Sequence, residues 1–196
     1  MSSAEQVTVH PVGLSDGRVR VIIESITPSV DGGRFPVKRT VGDSVVVEAD
    51  CFADGHDVVA CALLWRRGDG GAWRNTALQS RGNDRWRASF AVDALGSWQY
   101  TVCAWVVPYL SWRHDFARRV DAEDLRIEAL SGAKLIEETA ARAASAGDAE
   151  LLRSWARELA AAAEAGADIE ALKRRGMDQA RSAIAQRHPD LRHALT

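Results

Sequence analysis

The chain has 196 residues, 46% of them hydrophobic and 27% charged, which is a globular composition rather than a disordered or fibrous one. Its 25 basic side chains face 27 acidic ones, a formal net charge of -2, so the electrostatic grounds for a nucleic-acid or polybasic membrane-surface partner are missing. The length admits one domain with a smaller attachment and excludes a catalytic barrel of about 250 residues, and no apolar run approaches the roughly 20 residues that span a bilayer.

The first residues, MSSAEQVTVHP, have neither a basic n-region nor an apolar h-region. No secretory signal is read, a cytoplasmic location is expected, and residues 1–17 are expected to form a flexible N-terminus. From residue 18 to about 122 the chain reads as short strands. VRVIIESITP alternates Val19, Val21 and Ile23 on one face and breaks at Pro28. After the turn-rich SVDGGRFPVKRTVGD, two further strands are predicted over Ser44–Gly55 and Val58–Arg67, the second closed by the glycine-rich turn Gly68–Gly71. AWRNTALQ, DRWRASFAVD and SWQYTVCAWVV supply three more, and SWRHDFARRVD (Ser111–Asp121) is read as the last. Seven short strands with turn signals every 8–12 residues point to a β-sandwich. In DRWRASFAVD, Trp86, Ala88, Phe90 and Val92 share the face expected to be buried. In WQYTVCAW both faces are apolar, so the outward one, with Cys103 and Trp105, is expected to be covered.

Beyond residue 122 alanine dominates, and three helices are expected over residues 123–196, an incomplete bundle with apolar faces to spare. The first runs from Glu123 to about Ala144 with Gly132 as an interruption. The second is capped by Asp148 and ends near Ala165. The third starts from Asp168 and contains Gly176. The predicted fold is thus mainly β, an immunoglobulin-like sandwich followed by a three-helix segment.

Little in this sequence carries chemistry. Cys51, Cys61 and Cys103 are odd in number and lack CxxC spacing, so free thiols are expected, buried at Cys61 and Cys103, with no metal or redox role. His56–Asp57 and His114–Asp115 resemble base-and-orienter pairs, but neighbours on a strand point to opposite faces, and a local structural role is preferred. His10, His188 and His193 add no metal-ligand spacing. Nucleotide, zinc-protease and nucleophile-elbow motifs are absent. Trp65, Trp73, Trp86, Trp98, Trp105 and Trp112 all fall before residue 122, where core or interface packing is preferred and a sugar-stacking platform is the alternative. The basic loop of Arg34, Lys38 and Arg39, near Phe35 and Pro36, is read as contacting a neighbouring domain.

Three stretches together resemble one family. PSVDGGRFPVKRTVGDSVVVEADCFADGHD (Pro28–Asp57), NDRWRASFAVDALGSWQYTVCAWVVPYLSWRHDF (Asn83–Phe116) with its W-x-Y-T-V-x-A-W segment, and the terminal RHPDLR are similar to the N-terminal region of the α-1,4-glucan:maltose-1-phosphate maltosyltransferases. The resemblance covers nearly the whole chain. It implies cytoplasmic, α-amylase-like multidomain enzymes that transfer maltosyl units from maltose 1-phosphate to α-1,4-glucans with retention. Their catalytic carboxylates lie in a barrel downstream of the region represented here, so no catalytic, cofactor or metal residue carries over to positions 1–196. The segment is expected to be a non-catalytic scaffold, forming a homodimer in the parent enzyme and packing on the downstream barrel, with no nucleic acid or membrane partner. The alternatives are a carbohydrate-binding module touching α-glucan through exposed tryptophans, and a freestanding interaction protein.

Overall fold

The computed structural model describes residues 20–68, 70–192 and 194–196. The expected flexible N-terminus at residues 1–17, and with it His10, Val19, Asp69 and His193, lies outside the described residues. The described chain divides into two compact units: residues 20–55 with Val59–Val106 and Leu191–Thr196, and His56–Val58 with Val107–Asp190.

The first unit contains β1 (Val21–Thr27), β2 (Ser44–Ala53), β3 (Val59–Arg67), β4 (Arg74–Ala77), β5 (Gln79–Ser80), β6 (Arg85–Ala91) and β7 (Trp98–Val106). They form two antiparallel sheets, ordered β1-β2-β6-β5 and β4-β3-β7. Alternation decides what each strand buries. Along β2 every second residue, Val45, Val47, Ala49 and Cys51, faces a single core with Cys61 and Leu63 of β3, Phe90 of β6, and Val102 and Ala104 of β7. Trp86 and Ala88 pack against that core from the same face of β6, as the sequence pattern predicts. The opposite face of β2 and β6 is charged. Glu48 lies in register with Arg87 and Asp50 with Arg85, and Arg85 bonds Asp50 at 2.9 Å and Glu48 at 3.4 Å. Cys103 and Trp105, on the outward face of β7, are buried. The glycine-rich turn at Gly68 does join a hairpin, with Trp65 paired to Arg74. A Cβ at Gly71 would stand 2.4 Å from the Arg67 carbonyl oxygen, which is why glycine sits there. The chain leaves this unit after β7 and returns at its end, where Leu195 and Ala104 exchange two backbone hydrogen bonds of 2.9 Å.

The second unit is helical: α1 (Pro108–Arg118), α2 (Ala122–Arg142), α3 (Ala146–Glu164), α4 (Ile169–Gly176) and α5 (Gln179–Gln186). Four expectations are corrected here. Residues Ser111–Asp121 are not the last strand of the sandwich, because most of them belong to α1. Pro108 opens that helix with its φ already helical, and Tyr109, Trp112 and Phe116, three and four apart, fall on its buried face. The predicted three-helix segment holds four helices, α2 to α5, and α1 precedes it. The predicted third helix is cut after Gly176, because Asp178 turns its side chain back to accept from the Arg181 N–H at 2.9 Å and starts α5 afresh. Helices therefore hold more residues than strands, and the fold is a mixed sandwich-plus-helices arrangement rather than mainly β. The cap of α3 is also displaced: Ser145, not Asp148, accepts from the first turn, at the Asp148 N–H. Asp168 caps α4 as predicted, accepting from Ala171 N–H at 2.7 Å. Leu125, Ile136, Leu152, Trp155, Leu159 and Leu172 fill the helical core around the α1 rings. Among the described residues no helix is long and apolar enough to cross a membrane.

Candidate functional site

Among the described residues, the charged and polar side chains singled out from sequence do not converge. His56 is exposed in the β2–β3 turn, and His114 is exposed on α1, beside Arg118 at 3.3 Å rather than in a dyad with Asp115. Successive helical residues diverge by about 100°, so the correction from strand to helix leaves that pair apart. His188, read from sequence only as adding no metal-ligand spacing, is buried and stands 2.9 Å from the Asp148 carboxylate, tying the segment just after α5 to the first turn of α3. Among the described residues no group of three or more His, Cys, Asp or Glu side chains is placed to hold a metal ion. All three cysteines are free and buried. The Cys51 contact and burial push the Cys61 thiol up, and burial pushes Cys103 up to about 11, so neither is a nucleophile at neutral pH.

What the sandwich does build is a cleft of about 590 Å³ at one end, between the loop that follows β1 and the start of β7. Its floor comes from the core: Val45, Phe90 and Val92. Its walls are aromatic. Phe90 stands 6.2 Å from the Trp98 ring and 5.8 Å from Tyr100. Trp98 donates its indole N–H to the Ala94 carbonyl at 3.2 Å, and Tyr100 donates its hydroxyl to the Pro28 carbonyl, so both rings are held before anything binds. Burial pushes the Tyr100 phenol up and keeps it a neutral donor.

The rim is set by two local devices. Asp31, Gly32 and Gly33 all take positive φ in a tight reversal that pairs Val30 with Phe35. The two glycines accept that geometry without a Cβ penalty, and the turn leaves the Phe35 ring 58% exposed. On the other side, the Arg66 guanidinium lies over the Trp73 ring at 4.5 Å and donates to Gln99 Oε1 at 2.7 Å. One cation thereby orients an aromatic ring and an amide that both line the cleft. Trp73 remains 37% exposed. Of the basic loop only Arg39 lines the cleft, while Arg34 pairs with Asp31 at 3.2 Å. Among the described residues that line the cleft, none is an aspartate or glutamate.

The tryptophans thus separate. Trp73 is the most exposed of the sandwich set, Trp105 and Trp112 are buried, and Trp112 belongs to the helical core. Sequence reasoning located Phe35, Trp73, Trp98 and Arg39 but not Arg66 or Gln99. Their signal was weak: both stand opposite each other in the β3–β7 register and look like ordinary outward-facing residues.

Comparison with known proteins adds the family. Residues 19–196 match the family model for alpha-1,4-glucan:maltose-1-phosphate maltosyltransferase, domain N/S. Curated proteins named alpha-1,4-glucan:maltose-1-phosphate maltosyltransferase are similar to the chain. That of Chlorobaculum tepidum is 46% identical over 65% of this chain and 19% of its own length. That of Rhodospirillum rubrum is 40% identical over 87% of this chain and 26% of its own length. That of Myxococcus xanthus is 40% identical over 64% of this chain and 20% of its own length. The chain spans about a fifth to a quarter of the length of these relatives. It belongs to the α-1,4-glucan:maltose-1-phosphate maltosyltransferase family, within the region described as domain N/S.

Proposed function

We propose that this chain is the non-catalytic scaffold and dimerisation region of a cytoplasmic maltosyltransferase that uses maltose 1-phosphate to elongate α-1,4-glucans. The observation that carries the reading is the match of residues 19–196 to domain N/S, together with the small share of each relative that this region makes up. Retaining glycosyl transfer needs two carboxyl groups about 5–5.5 Å apart across a sugar, so the described lining of the cleft is not proposed as a centre of transfer. The sheet order β1-β2-β6-β5 against β4-β3-β7 supports an immunoglobulin-like reading of the sandwich, with the first sheet in the A-B-E-D arrangement and β3 beside β7 as C beside F. In this reading the sandwich and the helices are two domains that support a downstream barrel.

Two measurements test it. The 196-residue chain supplied with maltose 1-phosphate and maltoheptaose should release no phosphate, and release above background overturns the non-catalytic role. Light scattering on the longer natural protein should give the mass of a dimer. A monomer at micromolar concentration overturns the dimerisation role.

A further inference from the structure

We propose that the cleft bounded by Phe35, Trp73, Trp98 and Tyr100 is a binding subsite for a short segment of neutral α-1,4-glucan, separate from any centre of transfer. The identity of the glucan rests on the maltosyltransferase reading; the class of ligand rests on the cleft.

The walls decide the class. A pyranose ring presents an apolar face of C–H bonds and an edge of hydroxyls. It fits a site made of flat aromatic faces with a few oriented hydrogen-bonding groups between them. Phe35 and Trp73 offer exposed ring surface at the rim, and Trp98 and Tyr100 continue it inward. Ser97, Gln99 and Thr101 lie among the lining residues and supply hydroxyl and amide partners. The volume of about 590 Å³ falls within the ~300–1,000 Å³ of small-molecule sites. A phosphate ester is disfavoured, because the lining holds one guanidinium, Arg39, and anion recognition requires several convergent donors.

Preorganisation makes the cleft a credible binder as well as a hollow. Trp98 and Tyr100 are each tied to a backbone carbonyl, and Arg66 holds Trp73 and Gln99 in place. Little side-chain freedom is then lost when a ligand enters. Rigid aromatic walls over a floor that includes Phe90, with a mobile hydroxylated ligand, are the division of labour that a weak, chain-tolerant glucan site needs.

The test is titration of the 196-residue chain with maltoheptaose, read by calorimetry and by tryptophan fluorescence. Saturable binding is expected. Trp73→Ala and Phe35→Ala should each weaken it by about tenfold, a difference of 1.4 kcal/mol. Leu151→Ala, an equally apolar truncation on the exposed face of α3, should leave it unchanged. Circular dichroism reports that each variant is folded, and Phe35 is exposed enough that its truncation serves if Trp73→Ala does not fold. No saturation at 10 mM maltoheptaose overturns the proposal, as does binding that both aromatic truncations leave intact. Equal binding of cellohexaose overturns the α-1,4 assignment. None of these outcomes bears on phosphate release or on the mass of the longer protein, so failure here and failure of the scaffold reading are separable.

Discussion

Gly132 sits inside α2, where glycine costs about 1 kcal/mol relative to alanine through backbone entropy, and Gly176 is the last residue of α4. Both are there for the rings of α1. A Cβ on Gly132 would lie 2.0 Å from the Trp112 ring, whose indole N–H also donates to the Glu128 carbonyl at 2.7 Å, one turn earlier on α2. A Cβ on Gly176 would lie 2.5 Å from the Phe116 ring. Gly147, in the first turn of α3, is different: a Cβ there meets Ser145 Oγ at 3.6 Å, an ordinary contact. Gly132→Ala and Gly176→Ala are therefore expected to destabilise the helical unit by about 1–3 kcal/mol despite better helix propensity, because the rings must leave their seats. Gly147→Ala should be neutral or stabilising by up to ~1 kcal/mol. Urea unfolding of the three variants checks the contrast, and a stabilised Gly132→Ala would show that α1 does not press on α2 as described. From sequence the two glycines read only as interruptions. Their purpose needs the ring that fills them, and that ring comes from an element predicted to be a strand.

At the scale of elements, the strands were legible because one face is dry and the other wet. Val45, Val47 and Ala49 alternate with Val46, Glu48 and Asp50, and the structure pairs the charged members with Arg87 and Arg85. The segment Ser111–Asp121 was misread because Trp112, His114 and Phe116 also alternate, and the period of two hides the period of 3.6 that Tyr109 reveals. Capping explains the remaining difference. Asp168 follows Gly166 and could be read, whereas Asp178 lies just after Gly176 inside what looks like one helix. Its side chain nonetheless accepts from the Arg181 N–H and separates α4 from α5. Both helices have only eight residues, too short to persist without their ends satisfied. Asp178→Ala is expected to cost about 1 kcal/mol, within the ~0.5–2 kcal/mol of lost N-caps, and Asp178→Asn should restore most of it. Thermal melts of the pair decide the matter, since equal losses would assign the effect to charge rather than to the cap.

Over the whole molecule, the feature least visible in the sequence is the return of the chain to the sandwich, where Leu195 pairs with Ala104. A one-residue bridge leaves no periodic trace, and from sequence RHPDLRHALT is assigned to the helical segment. The cleft was half legible for a related reason. Aromatic residues announce themselves, but whether a tryptophan is wall or core depends on which strands meet and on the cation lying over it. The balance of charge has a global consequence as well. Each unit carries a carboxylate held below its ordinary range by an arginine donor: Arg85 lowers Asp50 from 3.8, and Arg181 lowers Glu158 from 4.5. The folded state binds fewer protons than the unfolded chain at these sites, so their contribution is full above those ordinary values and is lost as pH falls through the lower folded ones. The Cys103 thiol acts in the opposite direction. Burial raises Cys103 from 9.0 to about 11, so its contribution is full below pH 9 and is lost as pH rises toward 11. Stability should therefore form a plateau between roughly pH 5 and pH 8.5 with a decline on each side. Guanidinium melts across pH 3 to 11 measure it. Asp50→Asn with Glu158→Gln should shrink the acid limb alone, and Cys103→Ala the alkaline limb alone. An acid limb of undiminished depth in the double variant would place the acid sensitivity in other carboxylates, and an unchanged alkaline limb would assign that side to the Cys61 thiol and the Tyr100 and Tyr109 phenols, which burial also raises.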